Sequence, residues 1–313
     1  MLCSTKTPVL RVTVLVAEGA FRGNDDSRTP LVASSVAALI NLILDPILMF
    51  PLKLGMMGAA AATAISQVGG AIVYGWRMVR RQLLPQAHDI RTVSIWKVVK
   101  AIAGANLAML TKQGSLLVFY TYATALATRL GPTHVAAHQV ALSFFWLITF
   151  VLDSGSVSGQ VLMSKSQGDA AKARSLTRYM TKYAALQGLA ITTLVAVVGK
   201  MLPSVFTTDA TIRSFLVQIV PHVAIQQTMV SLCLVLEGLA IGGNQFRFMA
   251  AGTAVSTLLG MYQLHQATSV VGIWANAVTS FFGARLIFAL LGVMRVHWGI
   301  RQSSSTTDIL PRN

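Results

Sequence analysis

Asp45 and Asn41 stand one helical turn apart within an apolar run from Pro30 to Phe50. A carboxylate in mid-span costs about 2.5 to 3.5 kcal/mol on insertion scales, so it usually faces a cavity or a partner and tends to be functional. At the i, i+4 spacing the two side chains share a helix face. Thr63, in the next apolar run, approaches that face if the two segments pair as a hairpin. Carboxylate, amide and hydroxyl oxygens together suit a proton or a hard cation such as sodium. The competing reading is that Asp45 ends a helix before Pro46 and faces interfacial water.

Other polar residues interrupt apolar runs and are candidate cavity groups: Asp153, Glu18, Glu237, Lys112, Gln113 and Gln139. Asp153 lines a cavity or lies near the inner interface. Glu18 and Glu237 each precede a loop by a few residues, which favours an interfacial cap or loop contact. Lys112 is explained by snorkelling, by a carboxylate partner or by an anionic substrate. His134 and His138 have the i, i+4 spacing of metal ligands, but no glutamate accompanies them, so no metal is expected. Cys3 and Cys233 are too few for a disulfide framework. No nucleophile–base arrangement suggests an enzyme, and no cofactor is expected beyond a coupling ion.

The elements that carry these residues are membrane helices. Of 313 residues 54% are hydrophobic and 11% charged, and the mean hydropathy is +0.63; soluble domains are about a quarter charged. Eight full spans are expected: Pro30 to Phe50, Gly55 to Trp76, Val98 to Leu126, Thr133 to Val157, Tyr179 to Leu202, Phe215 to Ile241, Phe248 to Ala267 and Val270 to Val293. The runs lack the two-residue alternation of barrel strands, so the fold class is an all-α polytopic membrane protein.

The net charge of +15 belongs to topology rather than to nucleic-acid binding. Lys6, Arg11, Arg22 and Arg28 precede the first span, and Arg77, Arg80, Arg81, Arg91, Lys97 and Lys100 follow the second. Lys165, Lys172, Arg174, Arg178 and Lys182 follow the fourth, Arg247 the sixth, and Arg295, Arg301 and Arg312 the eighth. The alternate loops hold only Lys53, Arg129, Lys200 and Arg213. This positive-inside pattern puts both ends of the chain on the cytoplasmic or stromal side, with basic clusters against membrane lipid. Ser164 to Lys182 is expected to be an amphipathic connector, and the small residues at Gly55, Gly58 to Ala62, Gly238 and Gly242 to serve close helix packing.

An internal repeat organises the spans. Glu18 to Arg28 aligns without gaps to Glu237 to Arg247, an offset of 237 − 18 = 219 residues, and each copy closes one apolar segment and opens the next. The two copies fall on the same inferred side, which implies a parallel duplication. By that offset the span near Val98 has its counterpart before Met1, so the chain is expected to be an amino-terminally truncated form.

The strings Arg22-Gly-Asn-Asp-Asp-Ser-Arg-Thr-Pro30, Asn41-Leu-Ile-Leu-Asp-Pro46 and Gly58-Ala-Ala-Ala-Ala-Thr-Ala-Ile-Ser-Gln67 resemble the multidrug and toxin extrusion (MATE) transporters. Ala136-Ala-His-Gln-Val140 and Leu152-Asp-Ser-Gly155 are similar to the DNA-damage-inducible branch, which includes plant plastid members. The resemblance implies twelve helices in two lobes about a central cavity, of which this chain carries the end of helix 4 and helices 5 to 12. The expected division is residues 1–96 for the rest of the amino-terminal lobe, 97–295 for the carboxy-terminal lobe and 296–313 for a tail. It implies export of small organic solutes by proton- or sodium-coupled antiport, with Asn41, Asp45 and Thr63 at cation-site positions, in a monomer. The family also expects an aspartate in its first helix, which this chain lacks. A lipid or oligosaccharide flippase, or a fragment that transports nothing, is the alternative.

Overall fold

A computed structural model describes residues 7–24, 26, 28–83, 94–199, 201, 203–204 and 207–307. Cys3, Lys6, Arg91 and Arg312 lie outside them, as do Asp25 and Ser27 of the repeat. The described residues form helices α1 (Thr7–Gly23), α2 (Arg28–Met49), α3 (Gly55–Arg80), α4 (Ile95–Leu130), α5 (Pro132–Ser164), α6 (Ala170–Val198), α7 (Ala210–Gly242), α8 (Phe246–Gln266) and α9 (Thr279–Thr307). A helical turn, Val270–Gly272, and a π-helical segment, Ile273–Val278, lead into α9.

Each of the eight expected spans has its helix among the described residues, with Lys200 and Leu202 lying outside them. Six segments are long and apolar enough to cross a membrane: Arg28–Met49, Gly55–Arg80, Pro132–Ser164, Ala170–Val198, Ala210–Gly242 and Val270–Ile300. The other two, α4 and α8, have 36 and 21 residues, enough for a core about 30 Å thick, but carry more polar positions. Leu42, Leu117, Phe150 and Ile225 are each about two-thirds exposed or more, the apolar exterior expected against lipid. The chain is thus an integral, multi-pass membrane protein.

The chain divides into two compact units, Met1–Ile95 and Trp96–Asn313. In the first, α2 and α3 form a close hairpin and α1 packs against α3. Gly58, Ala62, Ser66 and Gly70 of α3 are buried at the i, i+4 spacing, and a Cβ at Gly58 would lie 2.7 Å from the Leu48 carbonyl oxygen. Small side chains here let two backbones touch. Gly55 has a different role from the packing expected of it: its φ is +50° and nothing lies within 4 Å, so it serves the turn between the helices. Pro46 lies inside α2, which runs on to Met49. Asp45 is therefore within a helix and not at its end.

Asp26 closes this unit. It caps α2 by accepting from the Arg28 and Thr29 amides through Oδ1, at 3.1 and 3.0 Å, while its Oδ2 accepts from the Thr29 hydroxyl and pairs with Arg81 beyond α3 at 3.1 Å. The Thr29 hydroxyl bond holds the carboxyl below its ordinary pKa, aided by the two amides and Arg81 and opposed by burial. A depressed folded-state pKa stabilises the fold above the unfolded value, and that stability is lost as pH falls through the folded value. Asp26→Asn is accordingly expected to lower the melting temperature at neutral pH, with the gap to wild type closing in acid, as thermal unfolding across about pH 3 to 7 would measure.

In the second unit α7 is central, against α5, α6 and α9. Gly238 and Gly242 face α5, where an added Cβ would overlap the carbonyl oxygens of Ser156 and Gln160. Backbone cannot move aside as a flexible side chain can. Gly238→Val is expected to cost about 1 to 3 kcal/mol by overpacking. Gly19→Val, with nothing within 4 Å of its Cβ, is expected to cost less than about 1 kcal/mol, and thermal unfolding of the two separates them. An aromatic core fills one end of the unit: Phe119 stacks on Phe281 at 4.1 Å, and Phe145 meets Trp274 at 5.7 Å.

The segment Ser164 to Lys182 differs from the expected connector. Asp169 caps α6 by accepting from the Ala171 and Lys172 amides, both at 2.9 Å, so only a short turn separates α5 from α6. Lys172, Arg174, Arg178 and Lys182 occupy the first turns of a continuous 29-residue helix.

The repeat has a structural expression. Gly23 ends α1 and Gly242 ends α7, 242 − 23 = 219 residues apart, and the next helices open at Arg28 and Phe246.

Candidate functional site

On α2, Asn41 and Asp45 face the same way because four residues turn the helix a little more than once. Asn41 Nδ2 donates to Asp45 Oδ2 at 3.1 Å. The remaining oxygens, Asn41 Oδ1 and Asp45 Oδ1, are shielded from solvent and accept no hydrogen bond among the described residues. Acceptors left without a donor within a membrane helix have the chemistry to take up a proton or a hard cation.

Thr63 stands level with this pair. Leu48 meets Gly58 and Ile40 meets Gly69 across the hairpin, so residue 63 is opposite the stretch of α2 that bears Asp45. Its side chain is exposed, off the buried Ala62–Ser66–Gly70 stripe, and its hydroxyl donates to the Ala59 carbonyl at 2.9 Å. The structure brings Asn41 and Asp45 together and leaves Thr63 bonded within its own helix.

The second unit holds a buried charge cluster. Glu237 of α7 accepts from Arg285 of α9 through both carboxylate oxygens, at 3.0 and 2.9 Å, and Lys112 of α4 approaches at 2.8 Å. The three residues are 1%, 3% and 9% exposed. Glu237 is thus an interior ion-pair partner and not the interfacial cap its position suggested, and Lys112 has the carboxylate partner that was one of its explanations. The phenyl rings of Phe281 and Phe282 lie 5.2 and 4.9 Å from the Arg285 guanidinium and keep the cluster dry. The sequence carried the signal for this cluster, because two cations placed inside spans require an anion.

An open groove of about 380 Å³ runs along α4, lined by Tyr120, Thr121, Thr124, Ala125 and Thr128. Gln113, exposed, lies two turns before Thr121 along the same helix. Sequence reasoning missed these hydroxyls because threonine is common in apolar helices, where it bonds its own backbone, as Thr128 does to the Thr124 carbonyl at 2.8 Å.

The remaining candidates are dispersed. Glu18 pairs with Arg22 one turn away on a partly exposed face, Asp153 is half-buried in the second half of α5, and Gln139 is exposed. His138 shares a 3.2 Å hydrogen bond with the Thr124 hydroxyl, and His134 packs on Phe215 with ring centres 4.5 Å apart. Among the described residues no three His, Cys, Asp or Glu side chains gather as a metal site would require.

Comparison with known proteins agrees with this arrangement of helices. The MatE family model matches residues 108–263. Protein DETOXIFICATION 44, chloroplastic, of Arabidopsis thaliana is 31% identical over 283 residues, covering 88% of this chain and 53% of the relative. The chain belongs to the MATE family. Protein DETOXIFICATION 43 of the same plant is 29% identical, over 91% of this chain and 53% of its own length. DNA damage-inducible protein F of Escherichia coli is 23% identical, over 91% and 62%. The chain spans about half the length of the plant MATE relatives it matches. An outward-facing multidrug resistance MATE family transporter superposes with a TM-score of 0.80 at 18% identity, covering 92% of this chain and 66% of that one. The Vibrio cholerae MATE transporter VcmN in its bent form gives 0.78 at 19%, over 92% and 67%. At such identities the likeness is one of fold.

Proposed function

We propose that this protein exports small organic solutes by antiport against protons or sodium, with alternating access to a central cavity. The observation that carries the reading is the Asn41–Asp45 pair, an intramembrane carboxylate with one oxygen held by an amide and the other unfilled. An ionised Asp45 attracts the coupling ion; once neutralised it loses that attraction and the helix pair around it can repack, which biases one conformation over the other. Thr63 joins the site if its exposed hydroxyl rotates toward the ion. Residues 1–96 act in this reading as the rest of one lobe, 97–295 as a six-helix lobe and 296–313 as a tail. Both ends face the cytoplasm or stroma, and the protein works as a monomer.

Organic solutes are the proposed cargo because the open α4 groove is lined by an aromatic ring and threonines and holds no charged residue. A 101-residue match at 35% identity to an FAD transporter of Shewanella oneidensis supports the same class of cargo. The test is gradient-driven movement of the fluorescent cation ethidium in proteoliposomes. Accumulation that follows an imposed pH or sodium gradient is expected, and rates equal to protein-free liposomes under both gradients contradict the proposal.

A further inference from the structure

The hydroxyls along α4 are not equivalent. Thr111, Ser115 and Thr128 each donate to the carbonyl one turn back, at 2.8 to 2.9 Å, as hydroxyls in apolar helices commonly do. Thr124 lines the same groove as Thr128, yet its hydroxyl makes no bond to the Tyr120 carbonyl. Among the described residues its one bond crosses to α5, where His138 Nε2 lies 3.2 Å away.

His138 is buried behind Thr124, 1% exposed, with its ring beside that of Trp274 at 5.7 Å. Its other nitrogen, Nδ1, is shielded from solvent and meets no hydrogen-bonding group among the described residues. That isolation decides where a neutral imidazole carries its proton. A proton on Nδ1 would be a buried N–H with no acceptor, whereas a proton on Nε2 is accepted by Thr124 and leaves only a lone pair unfilled. Native structures leave lone pairs unfilled more readily than buried N–H groups. With Nε2 as the donor, Thr124 Oγ1 is the acceptor, and the hydroxyl's own proton is left for the groove.

We propose that His138 is a positioning residue that makes the Thr124 hydroxyl a fixed hydrogen-bond donor, so that the groove selects flat aromatic solutes bearing an acceptor oxygen such as a carbonyl. Tyr120, one turn before Thr124 on the same helix face, supplies the aromatic surface. One oriented donor beside an aromatic wall sets a ligand's orientation as well as its place. His138 acts through Thr124 and does not line the groove itself. The inference rests on the reading of the groove as the cargo site and narrows the class of cargo.

The test is equilibrium binding of two fluorescent aromatic probes to the purified protein in a neutral detergent. N-methylacridone carries a carbonyl oxygen and no N–H, and ethidium carries amino groups and no carbonyl. The readout is the ratio of the two affinities, because a substitution that only loosens the fold lowers both together. His138→Leu is expected to reduce the preference for N-methylacridone about fivefold, as the Thr124 hydroxyl turns back onto its own helix. Thr124→Val reduces it as much, and the His138→Leu/Thr124→Val double variant no further. His138→Gln, whose amide N–H can take the place of the Nε2–H, retains most of it. An unchanged ratio in His138→Leu, or losses that multiply in the double variant, overturn the proposal while leaving the cargo reading in place. Binding of neither probe by wild type overturns both.

Discussion

Replacing Glu237 with glutamine is expected to destabilise the second unit by about 3 to 5 kcal/mol, a larger loss than any other single substitution named for this protein. Glutamine keeps the shape of the side chain but leaves Lys112 and Arg285 facing each other with no anion, 9% and 3% exposed. In a membrane interior neither cation can recover its hydration. Removing a cation instead has a milder result. Lys112→Met and Arg285→Met each leave one cation matched to one anion, so both cost less than Glu237→Gln. Arg285→Met costs more than Lys112→Met because it removes two hydrogen bonds to the carboxylate rather than one ion pair. The triple variant Lys112→Met/Glu237→Leu/Arg285→Met recovers much of the loss, since an apolar core of similar volume replaces the buried cluster. Thermal unfolding in detergent measures the series, and a Glu237→Gln protein as stable as wild type contradicts the account.

That cluster marks the limit of what could be read from residues alone. Apolar runs and the alternation of Lys and Arg located the helices because lipid imposes length and composition directly on a span. The Asn41–Asp45 pair was legible because both residues are on one helix, where spacing alone determines the face. Glu237, Lys112 and Arg285 are on three helices, and their meeting depends on how those helices pack. The position of Glu237 near a loop suggested an interface, but α7 is central to its unit and buries its inner end. Gly238 and Gly242 were legible as packing residues, while their neighbours Ser156 and Gln160 were not. Asp169 was a visible capping signal that places the basic run inside α6, and the count of charges obscured it. Phe119, Phe145, Trp274 and Phe281 are buried, a placement that depends on how the helices pack.

Asp45→Asn is expected to abolish gradient-driven transport while leaving the fold intact. The asparagine keeps the size of the side chain but carries no charge at any pH, so the coupling ion loses its attraction. Stability changes by less than about 1 kcal/mol because Asp45 is half-buried, next to an apolar exterior rather than in a close-packed core. Asp45→Glu, which restores the charge on a longer arm, is expected to recover part of the coupling. Thr63→Ala is expected to have a smaller effect than Asp45→Asn, since its hydroxyl is bonded to Ala59.

The decisive measurement is ethidium movement in proteoliposomes carrying wild type or Asp45→Asn, under an imposed gradient and also at equilibrium. Asp45→Asn is expected to lose concentrative movement under the gradient at least about tenfold yet still to bind ethidium at equilibrium, because only the coupling site is changed. Concentrative movement at the wild-type rate in Asp45→Asn would remove Asp45 from the mechanism.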